Sequence, residues 1–191
     1  MRVALYGPMC SGKTYLANYL VNNYGYLRMG FADKLKEVAQ DLFGIDPSNK
    51  NNFNRKLLQE FSDDIKKWGG EDIFVKHFVE RLPNMTEFSV VCDDLRYPFE
   101  AEALRKKHFK IISVNCYENI RQERILKLYP DTSPEAQQHK SEQDYKEIEP
   151  DYTVWSNNPS DVKKLDQIVN SKNKLDEWRI KNDLGNGLHL N

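Results

Sequence analysis

Gly7-Pro8-Met9-Cys10-Ser11-Gly12-Lys13-Thr14 decides how the chain is read. The stretch follows a short apolar run, Arg2 to Tyr6, and opens a segment, Lys13 to Asn23, in which Leu16, Tyr19 and Leu20 recur at helical spacing. A strand, a glycine loop and a helix in that order are the context that G-x-x-x-x-G-K-[ST] requires. The glycines let the backbone wrap closely, so that N–H groups point at phosphate oxygens while the helix N-terminus adds positive potential. Lys13 would then reach the β and γ phosphates, and Thr14 could ligate Mg2+. The nucleotide-binding set expected from this loop is Gly7, Cys10, Ser11, Gly12, Lys13, Thr14 and Tyr15.

Outward from the loop, apolar spacing predicts a helix from about Asp33 to Phe43, ended by Gly44 and Pro47. Two more helices are expected between Arg55 and Leu82, with a sharp turn at Gly69 and Gly70. Phe88 to Cys92 reads as a buried parallel strand. Glu100 to Lys107 and Asn119 to Leu128 read as helices, Ile111 to Val114 and Tyr152 to Trp155 as strands, and 161–180 as a long polar helix. Alternating strands and helices argue for an α/β fold: a three-layer, mainly parallel sheet with right-handed crossovers, of the P-loop NTP hydrolase kind. At 191 residues one domain spanning 1–191 is expected. Within it, residues 30–82 form a helical segment, 129–149 a polar lid that would exclude water, and 182–191 a polar tail.

With 28 Lys and Arg against 29 Asp and Glu, the net charge of −1 offers no field to attract a polyanion, so no nucleic-acid partner is implied. Cys10, Cys92 and Cys116 have no CxxC spacing and are odd in number, which argues against a disulfide framework or a zinc site and fits a reducing cytoplasm. No signal peptide or membrane span is expected.

Phe88-Ser89-Val90-Val91-Cys92-Asp93-Asp94-Leu95-Arg96 is an apolar strand that ends in carboxylates. Mg2+ takes oxygen ligands and keeps several waters, so either Asp93 or Asp94 could hold a metal-bound water beside the loop, or both could be turn residues. The working assignment is Thr14 and Asp94. Phosphoryl transfer to a second phosphate needs charge neutralisation more than a general base. Arg55, Arg96, Arg121 and Arg124 are candidates for that cage, the last two three apart on one helix face, and Lys13, Arg96, Arg121 and Arg124 are taken as catalytic. Asp33, Lys36, Arg55, Gln59, Trp68, Asp72 and Phe74 supply groups suited to an acceptor nucleotide, although plain core packing is the simpler reading of Trp68 and Phe74.

Several short motifs in order carry a resemblance. Besides the P-loop they are Gly30-Phe31-Ala32-Asp33-Lys34-Leu35-Lys36 leading to Leu42-Phe43-Gly44, Arg55-Lys56-Leu57-Leu58-Gln59, and Asp94-Leu95-Arg96-Tyr97-Pro98-Phe99-Glu100-Ala101. His139-Lys140-Ser141-Glu142 and Asp151-Tyr152 followed by Asn157-Asn158 complete the set. The chain resembles the phage-type deoxynucleoside monophosphate kinases, within the P-loop nucleoside monophosphate kinases. Lys34 and Phe99 stand where that pattern usually has proline and asparagine. The resemblance implies ATP and a deoxynucleoside monophosphate as partners, Mg2+ as cofactor, and Asp33, Lys36, Arg55, Gln59 and Arg96 near the acceptor. It implies the host cytoplasm if the chain is phage-encoded, and it is compatible with a homodimer. Two other readings compete. Dephospho-coenzyme A kinase shares the Ser133-Pro134-Glu135 type of stretch but usually has an aspartate pair where this chain has Phe31 to Lys36. A nucleotide-responsive switch would need a water-positioning residue that nothing here announces.

Overall fold

The computed structural model describes residues 1–49, 51–83, 88–130 and 144–170. Five parallel strands, β1 (Arg2–Tyr6), β2 (Leu27–Arg28), β3 (Val90–Cys92), β4 (Phe109–Asn115) and β5 (Tyr152–Trp155), lie in the order β2-β3-β1-β4-β5. The helices are α1 (Lys13–Tyr24), α2 (Asp33–Phe43), α3 (Asn52–Gly69), α4 (Ile73–Arg81), α5 (Pro98–Arg105) and α6 (Glu118–Leu128), followed by α7 over 162–170. The expected three-layer P-loop architecture is thus the observed one, and the turn at Gly69-Gly70 falls between α3 and α4.

Alternation along the central strands explains the layers, because successive residues of a strand face opposite sides of the sheet. Ala4, Tyr6, Val90, Cys92, Phe109 and Ile111 pack on one face with Phe78 of α4 and Ala101 and Leu104 of α5. Val3, Leu5, Val91, Ile112 and Val114 pack on the other with Leu16, Ala17 and Leu20 of α1 and Leu165, Ile168 and Val169 of α7. Both faces are covered, which is what an all-parallel sheet requires. Sequence reading missed β2, whose two residues are both exposed and carry no apolar alternation. It pairs in register Leu27 to Val90 and Arg28 to Val91, and so delivers Arg28 to the carboxyl edge of β3.

Three parts of the sequence reading lie outside the described residues: most of the 129–149 lid with His139-Lys140-Ser141-Glu142, the 171–180 end of the last helix, and the 182–191 tail.

One core residue reaches from the sheet to the loop before α2. The Phe78 ring lies 4.7 Å from Phe31 and 6.1 Å from Phe109, centroid to centroid, and its side chain is fully buried. Phe78→Ala removes that bridge and leaves a cavity, so a loss of about 3–5 kcal/mol of unfolding free energy is expected, read as a shift in denaturant midpoint at unchanged slope.

Candidate active site

The P-loop sits between β1 and α1, and its shape is set by what it touches. Gly12 has φ +98°, and a Cβ there would meet Ser156 Oγ at 2.0 Å. Ser156 follows β5, and its hydroxyl donates to Ser11 O at 2.6 Å, so β5 grips the loop from behind. Cys10 takes a left-handed conformation, φ 62°, and Ser11 is fully buried. Lys13 Nζ donates to the carbonyls of Gly7 (2.7 Å) and Pro8 (2.8 Å). Its ammonium therefore lies over the loop, where phosphate oxygens would replace those carbonyls as acceptors. Tyr15, on the first turn of α1, is exposed.

The two aspartates after β3 divide their work. Asp93, 7% exposed, accepts the Thr14 hydroxyl proton at 2.8 Å and a bidentate pair from Arg28, Nε to Oδ1 at 2.9 Å and Nη2 to Oδ2 at 2.7 Å. Asp94 accepts the backbone N–H groups of Phe31 (3.0 Å) and Ala32 (3.1 Å) and faces the Cys92 thiol, whose pKa burial pushes well up. The working assignment of Asp94 to a metal is therefore corrected. Its oxygens are turned to backbone donors at the start of α2, whereas Asp93 is the carboxylate that holds the Thr14 hydroxyl. As for Mg2+, the donor set fits: an oriented hydroxyl oxygen and one carboxylate, all oxygen, leave most coordination positions to phosphates and water.

Asp33 also serves backbone, accepting Gly30 N–H at 2.6 Å. A Cβ on Gly30 would lie 2.7 Å from Asp94 Oδ2 and 2.8 Å from Asp33 Oδ1, so only glycine lets both carboxylates close on this turn. Lys36 is half-buried one turn along α2.

Helix α3 crosses from the P-loop to the segment after β3. At its start the Arg55 guanidinium stacks 4.4 Å from the Tyr129 ring centroid and its Nη1 lies 3.8 Å from Met9 Sδ. Near its end Lys66 Nζ lies 5.1 Å from the Tyr97 ring centroid. Eleven residue steps along the helix from Arg55 to Lys66 make about 16 Å. Gln59 is exposed one turn beyond Arg55. Trp68 is not brought to this site. It is 93% exposed and some 20 Å along the helix from Arg55, in a groove with Phe61, Ile65 and Ile73. Neither the acceptor role nor the core role expected of it matches that position. Phe74 packs against the core, as the simpler reading had it.

Arg121 and Arg124 of α6 both reach the loop. Arg121 Nη1 is 3.4 Å from Met9 O, while its other nitrogens clasp Glu118 at 2.8 and 2.7 Å. That clasp, with Gln122, holds the Glu118 carboxyl down at about 2. Arg124 donates to Ser156 Oγ (3.2 Å), to Ser156 O and, at 3.4 Å, to Cys10 O, which ties the P-loop to the end of β5. Sequence reading found both arginines but not their partners, and it missed Arg28 and Ser156. Only a prediction of β2 could have flagged Arg28.

Arg96 is half-buried in the turn before α5, and that turn is closed by Glu100, whose Oε2 accepts the N–H groups of Arg96 (2.8 Å) and Tyr97 (3.0 Å). Tyr97 and Phe99 stack with centroids 5.5 Å apart.

The fold and the loop together define a P-loop protein with a kinase-like fold. The chain belongs to the AAA-domain family, which matches residues 3–149. It is also similar, at 24% identity over 140 residues covering 59% of this chain and 72% of the relative, to "Putative deoxynucleotide monophosphate kinase" of Acanthamoeba polyphaga mimivirus. Among solved structures, TT1252 from Thermus thermophilus shares the fold with a TM-score of 0.59, 16% identity and coverage of 90% of this chain and 97% of that one. Shikimate kinase from Acinetobacter baumannii does so with a TM-score of 0.51, 15% identity and coverage of 90% and 93%. No helix among the described residues is long and apolar enough to cross a membrane.

Burial pushes the Glu100 carboxyl from 4.5 up to about 7, against the opposing pull of the two N–H donors. The native state then keeps this proton to higher pH than the unfolded chain does, so its contribution to stability is fully present below about pH 4.5 and falls as pH rises to about 7. Glu100→Gln, which keeps an acceptor for both N–H groups but does not titrate, should remove that part of the decline. Relative to wild type it should gain up to about 3 kcal/mol between pH 4.5 and pH 8, measured by denaturant unfolding.

Proposed function

We propose that the protein transfers the γ-phosphate of ATP to a deoxynucleoside 5′-monophosphate, giving ADP and the diphosphate. The observation that carries this reading is the placement of α3, which sets Arg55 against Met9 of the phosphate loop and ends beside Tyr97. That leaves a span suited to an acceptor whose phosphate faces the P-loop and whose base faces the segment after β3. The similarity to the mimivirus protein and the motif resemblance support the deoxynucleotide acceptor.

In this reading the loop N–H groups and Lys13 take the β and γ phosphates, with Lys13 moving from its own loop carbonyls onto phosphate oxygen. Thr14, oriented by Asp93, would present its oxygen to Mg2+. Bound Mg2+ supplies charge neutralisation to the donor phosphates. An acceptor phosphate is largely ionised at neutral pH, so no general base is needed. What opposes the reaction is repulsion between two anions, and Arg55, at the P-loop end of α3, offsets it with a planar, bidentate guanidinium group, while Arg96, beside Tyr97, binds the acceptor from the segment after β3. Arg121 would join them by exchanging Glu118 for phosphate. Asp33 and Asp94 act through the backbone, holding the turn at Gly30 to Ala32 in place.

Purified protein with ATP and Mg2+ should release ADP only when a deoxynucleoside monophosphate is added. Turnover with dephospho-coenzyme A alone, or steady hydrolysis without acceptor, would overturn the proposal. Lys13→Ala should lower the transfer rate by about a hundredfold or more, since it removes a charge from the transferring phosphoryl group. Arg55→Ala and Arg96→Ala should each raise the KM for acceptor more than that for ATP; equal effects on both would place those arginines outside the acceptor site.

A further inference from the structure

We propose that Arg28 keeps the Thr14–Asp93 position from holding a divalent cation until a nucleoside triphosphate brings one. This inference deepens the nucleotide reading of the P-loop and rests on it.

A carboxylate oxygen offers about two acceptor positions. Asp93 Oδ2 receives both Arg28 Nη2 at 2.7 Å and the Thr14 hydroxyl at 2.8 Å, and Oδ1 receives Arg28 Nε at 2.9 Å. One position is left on Asp93, enough for a metal-bound water but not for direct bidentate ligation. Thr14 has spent its proton on Asp93, so its lone pairs face away from the carboxylate and are ready for a cation. The position is thus shaped for a metal, yet its charge is already offset: a carboxylate that is 7% exposed lies against a guanidinium in fork geometry. Burial lowers the Arg28 pKa, but the hydrogen bonds and charge of Asp93, with smaller contributions from the charges of Asp94 and Asp33, leave it raised. Those two carboxylates are bonded to the N–H groups of Gly30, Phe31 and Ala32, which holds them on the turn that opens α2, away from the Thr14 hydroxyl. Among the described residues no group of three or more His, Cys, Asp or Glu is placed to hold an ion.

A hydroxyl and a neutralised carboxylate bind a bare divalent ion weakly. Triphosphate oxygens tip the balance by adding several negative charges and direct ligands on the Thr14 side. Arg28 is therefore a positioning residue with two effects: it aims Asp93 at Thr14, and it makes metal binding conditional on nucleotide. Removing its charge while keeping a hydrogen-bond donor leaves Asp93 exposed to a cation without altering the P-loop sequence.

The test is a Mn2+ titration followed by the EPR signal of the free ion, on purified protein without acceptor, first alone and then with a non-hydrolysable ATP analogue whose own Mn2+ uptake, titrated without protein, is subtracted. Wild type should take up Mn2+ saturably only once the analogue is present. Arg28→Gln should bind Mn2+ alone about tenfold more tightly than wild type or better, because an opposing unit charge has been removed at contact distance. Arg28→Lys, which keeps the charge and loses the fork, should behave as wild type in the nucleotide-free titration. Wild type binding Mn2+ equally well with and without the analogue would overturn the proposal, as would an unchanged affinity in a folded Arg28→Gln, with folding checked by thermal melting. Should Arg28→Gln not fold, Arg28→Met takes its place with the same expectation, and the wild-type comparison can still overturn the proposal. Neither titration contains an acceptor, so a failure of the acceptor assignment, seen as silence in the ADP-release assay, leaves this result standing.

Discussion

Two consecutive carboxylates at the end of one buried strand hold the site together. Because neighbouring residues of an extended chain point to opposite faces, Asp93 leaves β3 on the side of α1 and Asp94 on the side of the loop that opens α2. The first takes the hydroxyl of the phosphate loop, and the second takes the backbone of the turn at Phe31 and Ala32. A single strand end thereby fixes the phosphate loop relative to the turn that opens α2. Side chains only one peptide apart can do this only if the strand between them cannot shift, and β3 is wholly buried between β1 and β2.

The positive groups around the cleft are held differently. Lys13 lies on its own loop's carbonyls, Arg121 on Glu118, Arg124 on Ser156 and Arg55 on an aromatic face. Each contact costs little to exchange when the partner is exposed or neutral, and costs more when it is also part of the scaffold. Glu118 is exposed, so Arg121 can change partners. Arg124 bridges two backbone segments, and its release would loosen the loop itself. The two arginines, equivalent by helical spacing, are thus unequal by packing: one is a movable charge and the other a strut.

How far the sequence carried this architecture depends on the length scale of the signal. The P-loop, the alternation of strands and helices and the break at Gly69-Gly70 are local patterns, and they were legible. The two-residue strand β2 has no periodicity of its own and exists only through its pairing with β3, so Arg28 stayed hidden with it. Asp93 and Asp94 differ by which face of a strand they leave, a phase that a three-residue strand does not fix from sequence. The tryptophan at the end of α3 is apolar by type and exposed by position, and no residue scale separates those. Ser156 lies far from the loop in sequence and touches it only through the sheet.

Helix α3 has one more property. A rigid rod anchored at one end by contact with the phosphate loop and at the other by a lysine over an aromatic ring is a ruler. Its length is fixed by helical rise and does not respond to what lies beneath it. A molecule that matches the interval can rest a charged group at one mark and a flat group at the other. Under the acceptor reading proposed above, discrimination by length would follow from backbone geometry, ahead of any hydrogen bond to a particular base.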